Sequence, residues 1–203
     1  MLTCMPSCDS TTGQRIATGW HQKDLKMLLS RWVEVAPTPG GLLQGRFNGQ
    51  WQPIPAQGGS LVAHSRLIYS MMAGYESTGE QRYFVAAIRG ADFLLEHFRD
   101  STHGGFFEVV DAQGKVIHSN KRAYSHAFAL FALSHVARVT KDQRYRAAAL
   151  TAWEEINLHL RDRDGGFRPD APRDFAPSSG GRTQNPVMHM FEALLALADA
   201  TDD

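Results

Sequence analysis

The chain has 203 residues, with 21 Lys and Arg against 21 Asp and Glu, a formal net charge of zero and no block of like charge. That balance gives no electrostatic reason to bind nucleic acid or an anionic membrane, and no apolar run reaches the roughly 20 residues of a membrane span. The length allows one domain with its own core, or a piece of a larger one.

The N-terminal stretch MLTCMPSCDSTTG is polar and lacks the charged and apolar regions of a signal peptide, so residues 1–20 are expected as a disordered leader of a cytoplasmic protein. Its Cys4 and Cys8 have no His or Cys cluster nearby and are expected as two reduced thiols, not as a zinc site. From residue 21 onward apolar side chains recur at helical spacing, which predicts helices over 21–36, 59–78, 81–99, 121–140, 143–160 and 186–200. Between the third and fourth lies GGFFEVVDAQGKVIHS, two short apolar runs around residues 111–114, which predicts a hairpin decorating a connection between helices. The fold class is therefore all-α.

The segment GYESTGEQRYFVAAIRGADFLLEHFRDSTHGGF aligns almost without gaps on VARVTKDQRYRAAALTAWEEINLHLRDRDGGF, a period of about 61 residues. PGGLL, residues 39–43, fits a degenerate first copy, and Thr78 and Thr140 are matched by Thr201 near the end of a third. Each unit is helix, polar turn, helix, Gly-Gly loop, a period too long for the common helical solenoids. An α/α toroid fits, with the helices after the Gly-Gly loops on the inside. Six helices make three hairpins, and residues 21–203 are expected as one partial domain with an open apolar edge.

Counting back twelve residues from each matched threonine gives Arg66, Phe128 and His189, and sixteen gives Val62, Tyr124 and Asn185. Polar side chains at these positions should converge near one mouth of the ring, the kind of cluster a small polar ligand needs. His64 and His126 also share a register, fourteen before the threonine, which marks either a site or a repeated packing position. His97, His103, His118, His135 and His159 fall on charged faces or in loops and are expected to be solvated, as is the RDRD of residues 161–164. Asp92, Glu96 and Glu108 offer no pair of carboxylates that would flank a glycosidic bond, so an inverting glycosidase ranks last.

SRLIYSMMAGYESTGEQRY, KRAYSHAFALFALS and NPVMHMFEALLAL, in this order, resemble the N-acylglucosamine 2-epimerase superfamily, with Asn185 to Ala193 the most specific part. The resemblance runs from about residue 21 to the end. It implies an (α/α)6 barrel, of which this chain would be the first half, and a sugar isomerase or 2-epimerase activity, most like the mannose isomerase branch. Arg66 and His189 become catalytic residues, and Tyr124, Asn185 and Glu192 substrate-binding ones. No metal or redox cofactor is implied. Proton transfer between C1 and C2 of an open-chain sugar passes through a cis-enediolate and needs a base, an acid and a cation to hold the oxyanion.

Two departures from the family pattern stand out. Val62 occupies a place where many relatives have Trp. The family's principal acid and base histidines, one in a Pro-Gly-His-x-x-Glu-Trp segment and one near the C-terminus, belong to the second half and are missing from these 203 residues. Little or no turnover is therefore expected of this chain alone, and a rival expectation is a carbohydrate-binding or interaction half-toroid, completed by a second copy or by a complementing C-terminal half.

Overall fold

The computed structural model describes residues 10–54, 58–178 and 181–202; Cys4 and Cys8 lie outside them. The helices are α1 (Ser10–Val35), α2 (Leu61–Thr78), α3 (Gln81–Phe93), α4 (Ala123–Thr140), α5 (Gln143–His159) and α6 (Gln184–Thr201), and α3 runs on into a π-helical stretch, Leu94–Phe98. The short strands are β1 (Gly59–Ser60), β2 (Val109–Val110), β3 (Val116–His118), β4 (Lys121–Arg122) and β5 (Asp170–Ala171). α4 lies between α2 and α6 on the inside, while α3 and α5 back onto α2 and α4. Three helical hairpins side by side form half of an α/α toroid, with the helices after the Gly-Gly loops innermost.

The repeat is built into hydrogen bonds. Thr78, Thr140 and Thr201 donate their hydroxyls to the carbonyls of Gly74, Val136 and Leu197, at 2.7, 2.7 and 2.8 Å. The residue after each is left-handed: Gly79 at φ 72°, Lys141 at 57° and Asp202 at 59°. That conformation closes an inner helix and turns the chain outward. At the start of the next outer helix, Tyr83 and Tyr145 are buried, and each accepts a hydrogen bond from the arginine before it, Arg82 at 3.1 Å and Arg144 at 2.7 Å.

The Gly-Gly loops are pinned by backbone bridges Pro37 to Leu43, Arg99 to Phe106 and Arg161 to Phe167. These bridges align Gly41 with Gly104 and Gly165, all at positive φ (107°, 79°, 92°), and put Leu42 where Gly105 and Gly166 stand. The first copy is thus offset by one residue from a glycine-on-glycine match.

His64 and His126 are repeated packing positions. Leu43 N–H donates to His64 Nδ1 at 3.0 Å, and His64 Nε2–H donates to Gly90 O at 2.9 Å. Phe106 N–H donates to His126 Nε2 at 3.0 Å, and His126 Nδ1–H donates to Arg122 O at 2.8 Å. Each neutral imidazole latches a loop to the inner helix that follows it, and burial lowers both pKa values from 6.5 to about 4. Gly105 lies hard against the second latch: a Cβ there would stand 2.6 Å from His126 Nε2 and 2.8 Å from Phe175 Cζ, at φ +65°. Gly105→Ala is therefore expected to lose roughly 3 kcal/mol from strain and overpacking. Gly166→Ala, whose Cβ meets nothing within 4 Å, should stay within about 0.5 kcal/mol. Paired thermal unfolding curves of the two variants check this.

A buried ion cluster ties three loops together. Asp100 and Lys121 are 0% exposed and pair at 2.9 Å, and Arg173 adds bonds of 2.8 and 3.0 Å to the same carboxylate. Burial pushes the Asp100 carboxyl up, but the two cations outweigh this and hold it well below the usual carboxylate range. Lys121 also donates to Gly104 O at 2.9 Å.

Several elements differ from the sequence expectation. α1 begins at Ser10, inside the segment expected as a leader. The sequence of residues 10–20 carries no apolar stripe, so periodicity gave no sign of this part of the helix. Residues 121–122 form a strand and not the start of α4, because they pair with β5, Lys121 against Ala171 and Arg122 against Asp170. The hairpin around residues 111–114 forms, and β1 joins it to make a three-stranded sheet. His135 and His159 are packed, not solvated. His135 lies 4.7 Å from the Tyr69 ring and 4.4 Å from Phe131, and His159 stacks on Phe175 at 4.5 Å. The RDRD segment holds Arg182, through Asp162 and Asp164 at 2.8 Å each.

Candidate active site

Three inner helices each present a row of side chains to the interior, set by the distance back from the matched threonine. Arg66 of α2 donates to the Tyr124 hydroxyl of α4 at 3.1 Å, and its guanidinium lies 4.2 Å over the Phe128 ring. The His189 ring of α6 packs 4.6 Å from Phe128 and 5.1 Å from Tyr124. His189 Nδ1 is 2.8 Å from Glu192 Oε2, one turn along the helix. Arg66, Tyr124, His189 and Glu192 therefore form one contiguous cluster across three helices. Asn185 is exposed and sits beside it, lining with Tyr124, Arg122, Pro169, Thr183 and Pro186 a groove of about 230 Å³.

The chemistry of the cluster follows from its contacts. A guanidinium over an aromatic face and bonded to a phenol is held in place yet remains exposed, a fixed cation at any working pH. A carboxylate on Nδ1 of an imidazole favours the tautomer with its proton there and leaves Nε2 for proton exchange. Among the described residues His189 Nε2 makes no hydrogen bond.

Phe128 was only a register partner in the sequence, yet it is the surface on which Arg66 and His189 both rest. One row deeper, nine residues before the threonine, Tyr69 and Phe131 are 4.7 Å apart, with Glu192 at the equivalent place on α6. The same register count would have found them. Of the carboxylates, Asp92 bonds the Tyr145 hydroxyl at 2.7 Å and Glu96 is exposed. Glu108 is close to the start of α2, accepting Leu61 N–H through its carbonyl at 2.9 Å, and burial pushes its carboxyl up. Its contact is Arg122 at 3.5 Å, so no carboxylate pair forms. Among the described residues no three His, Cys, Asp or Glu side chains gather in a metal-sized group, and no helix is long and apolar enough to cross a membrane.

Residues 40–203 match the model of the N-acylglucosamine 2-epimerase family. The chain belongs to this family. It is 28% identical over 143 residues to a cellobiose 2-epimerase of Bacteroides fragilis, covering 70% of this chain and 36% of that one. It is 29% identical over 173 residues to a D-mannose isomerase of Thermobifida fusca, covering 77% and 38%. Superposed on the crystal structure of a D-mannose isomerase it gives a TM-score of 0.81 at 22% identity, over 99% of this chain and 50% of that chain. This family member thus spans a third to a half of its relatives' length, and its fold is half of the (α/α)6 barrel.

Proposed function

We propose that the chain carries one half of the active site of a sugar 2-epimerase or aldose-ketose isomerase, acting on mannose or a related sugar. Arg66 steadies the oxyanion of the cis-enediolate, and His189, oriented by Glu192, moves the proton between carbon and solvent. Tyr124 and Asn185 hold sugar hydroxyls, the phenol doing so while it positions Arg66. No cofactor takes part, and a cytoplasmic location belongs to the same reading. The observation that carries it is the unbroken contact from Arg66 through Tyr124 and Phe128 to His189.

The two second-half histidines of the family are absent from these residues. A general acid or base contributes on the order of 10²–10⁴ in rate, so purified chain 1–203 is expected to show little or no mannose to fructose conversion. Measurable conversion would overturn the claim of incompleteness. Binding is the separate test: saturation-transfer NMR with D-mannose should give a signal that Arg66→Ala or His189→Ala removes. An unchanged signal in both variants would place the sugar elsewhere.

One observation favours a second reading, a half-toroid completed by another chain. Along α6 the side chains of Val187, Met188, Phe191 and Leu195 are 45–65% exposed. An apolar row of that length is an interaction surface or an aggregation liability. Light scattering of the purified chain separates a monodisperse dimer from a monomer or a polydisperse sample.

A further inference from the structure

A second cleft, of about 330 Å³, opens on the outer wall where the end of α1 and the loop after it meet α3. Its walls are Val33, Pro37, Leu43, Val85 and Ala86, and Val85 is 52% exposed. At its edge stands Arg89. That guanidinium donates to Pro39 O at 2.5 Å and, among the described residues, has no carboxylate partner. Its neighbour Arg82 is spent on Glu80, at 2.8 Å. Thr38 also lines the cleft, is 7% exposed, and its hydroxyl has no hydrogen-bond partner. A buried hydroxyl without a partner costs about 1–3 kcal/mol unless something satisfies it.

The second repeat fills the matching place with its own side chains. The bridges that align the loops put Pro37 opposite Arg99 and Thr38 opposite Asp100. Gly41 lies against Phe93 as Gly104 lies against Glu155. Arg99 reaches out to Glu155 of α5, and Asp100 is saturated by Lys121 and Arg173. In the first repeat a proline cannot reach outward and a threonine is left unsatisfied, so the cleft keeps apolar walls, one cation held only by a backbone carbonyl and one hydroxyl without a partner.

We infer that this cleft binds a small organic acid with an apolar body, its carboxylate on Arg89 and its tail between Val33 and Val85. An apolar cavity with few convergent polar groups is the usual form of such a site. With Arg82 paired to Glu80, Arg89 is the one lining guanidinium without a carboxylate among the described residues, an arrangement that suits a carboxylate with a tail better than a phosphate, which calls for several donors.

The test is titration of ¹³C-methyl-labelled full chain with octanoate below its micelle concentration. Methyl shifts at Val33, Leu43 and Val85 are expected to saturate together. Arg89→Gln should weaken binding about tenfold, as should exchanging octanoate for octanol, because either change removes a charge-assisted hydrogen bond. Val85→Glu should abolish it, and since Val85 is already exposed, circular dichroism of that variant should match the parent. Octanol binding as tightly as octanoate, or an undiminished response in both variants, overturns the proposal. D-mannose added to the same sample should leave these methyls unmoved, so the outcome is independent of the inner site.

Discussion

Between pH 7 and pH 4.5 the folded chain is expected to lose about 5 kcal/mol of stability, a large share of what a domain of this size ordinarily has. His64 and His126 are neutral in the fold, with pKa values lowered from 6.5 to about 4, first by burial. Both groups take up protons more readily unfolded than folded, so their contribution is complete above pH 6.5 and falls away as pH drops through 4. Lowering a histidine pKa from 6.5 to about 4 corresponds to roughly 3 kcal/mol for each group once the pH is below both values. The geometry supplies the reason. One ring nitrogen of each histidine accepts a backbone N–H, from Leu43 or Phe106, and a proton placed there sets two donors face to face. Urea unfolding at pH 7 and pH 4.5 measures the difference. The double variant His64→Gln and His126→Gln should be less stable at pH 7 but nearly flat across this range. A parent protein equally stable at both pH values, or a double variant that keeps the slope, would refute the latch.

Replacing Asp100 with Ala is expected to cost about 3–5 kcal/mol, because it strands the Lys121 ammonium in the interior. Lys121 is 0% exposed and would keep Gly104 O as its hydrogen-bonded partner. The pair Asp100→Leu with Lys121→Met should recover most of the loss, since well-packed apolar groups replace a buried ion pair at little cost. A double-mutant cycle by chemical denaturation reads this directly. A single-variant loss below about 1 kcal/mol, with no recovery in the double variant, would mean that the cluster is not a structural lock. The Asp100 carboxyl is held below its ordinary range. Its contribution is present above the unfolded carboxylate value near 3.9 and falls away at lower pH, a window separate from that of the histidines.

Much of this architecture could be read from residue spacing because the repeat recurs at the level of single contacts. Thr78, Thr140 and Thr201 mark one hydrogen bond made three times, so counting back from them identified which side chains share a row. Arg66, Tyr124, Asn185 and His189 were legible that way, while Glu192 came only with the family resemblance around Asn185 and His189. Register could not weigh His64 and His126, since a conserved spacing is equally compatible with a ligand or a latch. The loop amides that decide the matter lie about 20 residues away in sequence. Phe128 was overlooked as a working surface because an aromatic residue on an apolar helix reads as core. Arg89 and Thr38 gave no signal at all, as a charge without its partner looks in sequence like any other charge.

The third unit lacks the fastening that the other two have. Where His64 and His126 grip their loops, α6 has Val187, and a side chain at position 166 would meet nothing, although Gly165 at φ +92° still calls for glycine. Arg182 on Asp162 and Asp164 is an exposed link, screened by solvent and weak as a fastening. Yet Thr183 and Asn185, which face the groove, and His189, one turn further along, all follow from this entry into α6. The region that meets a ligand most directly is also the one whose sequence can drift at least risk to the rest of the ring. Descendants of such a chain have room to change what they bind by rewriting the approach to α6, while the two latched repeats preserve the scaffold.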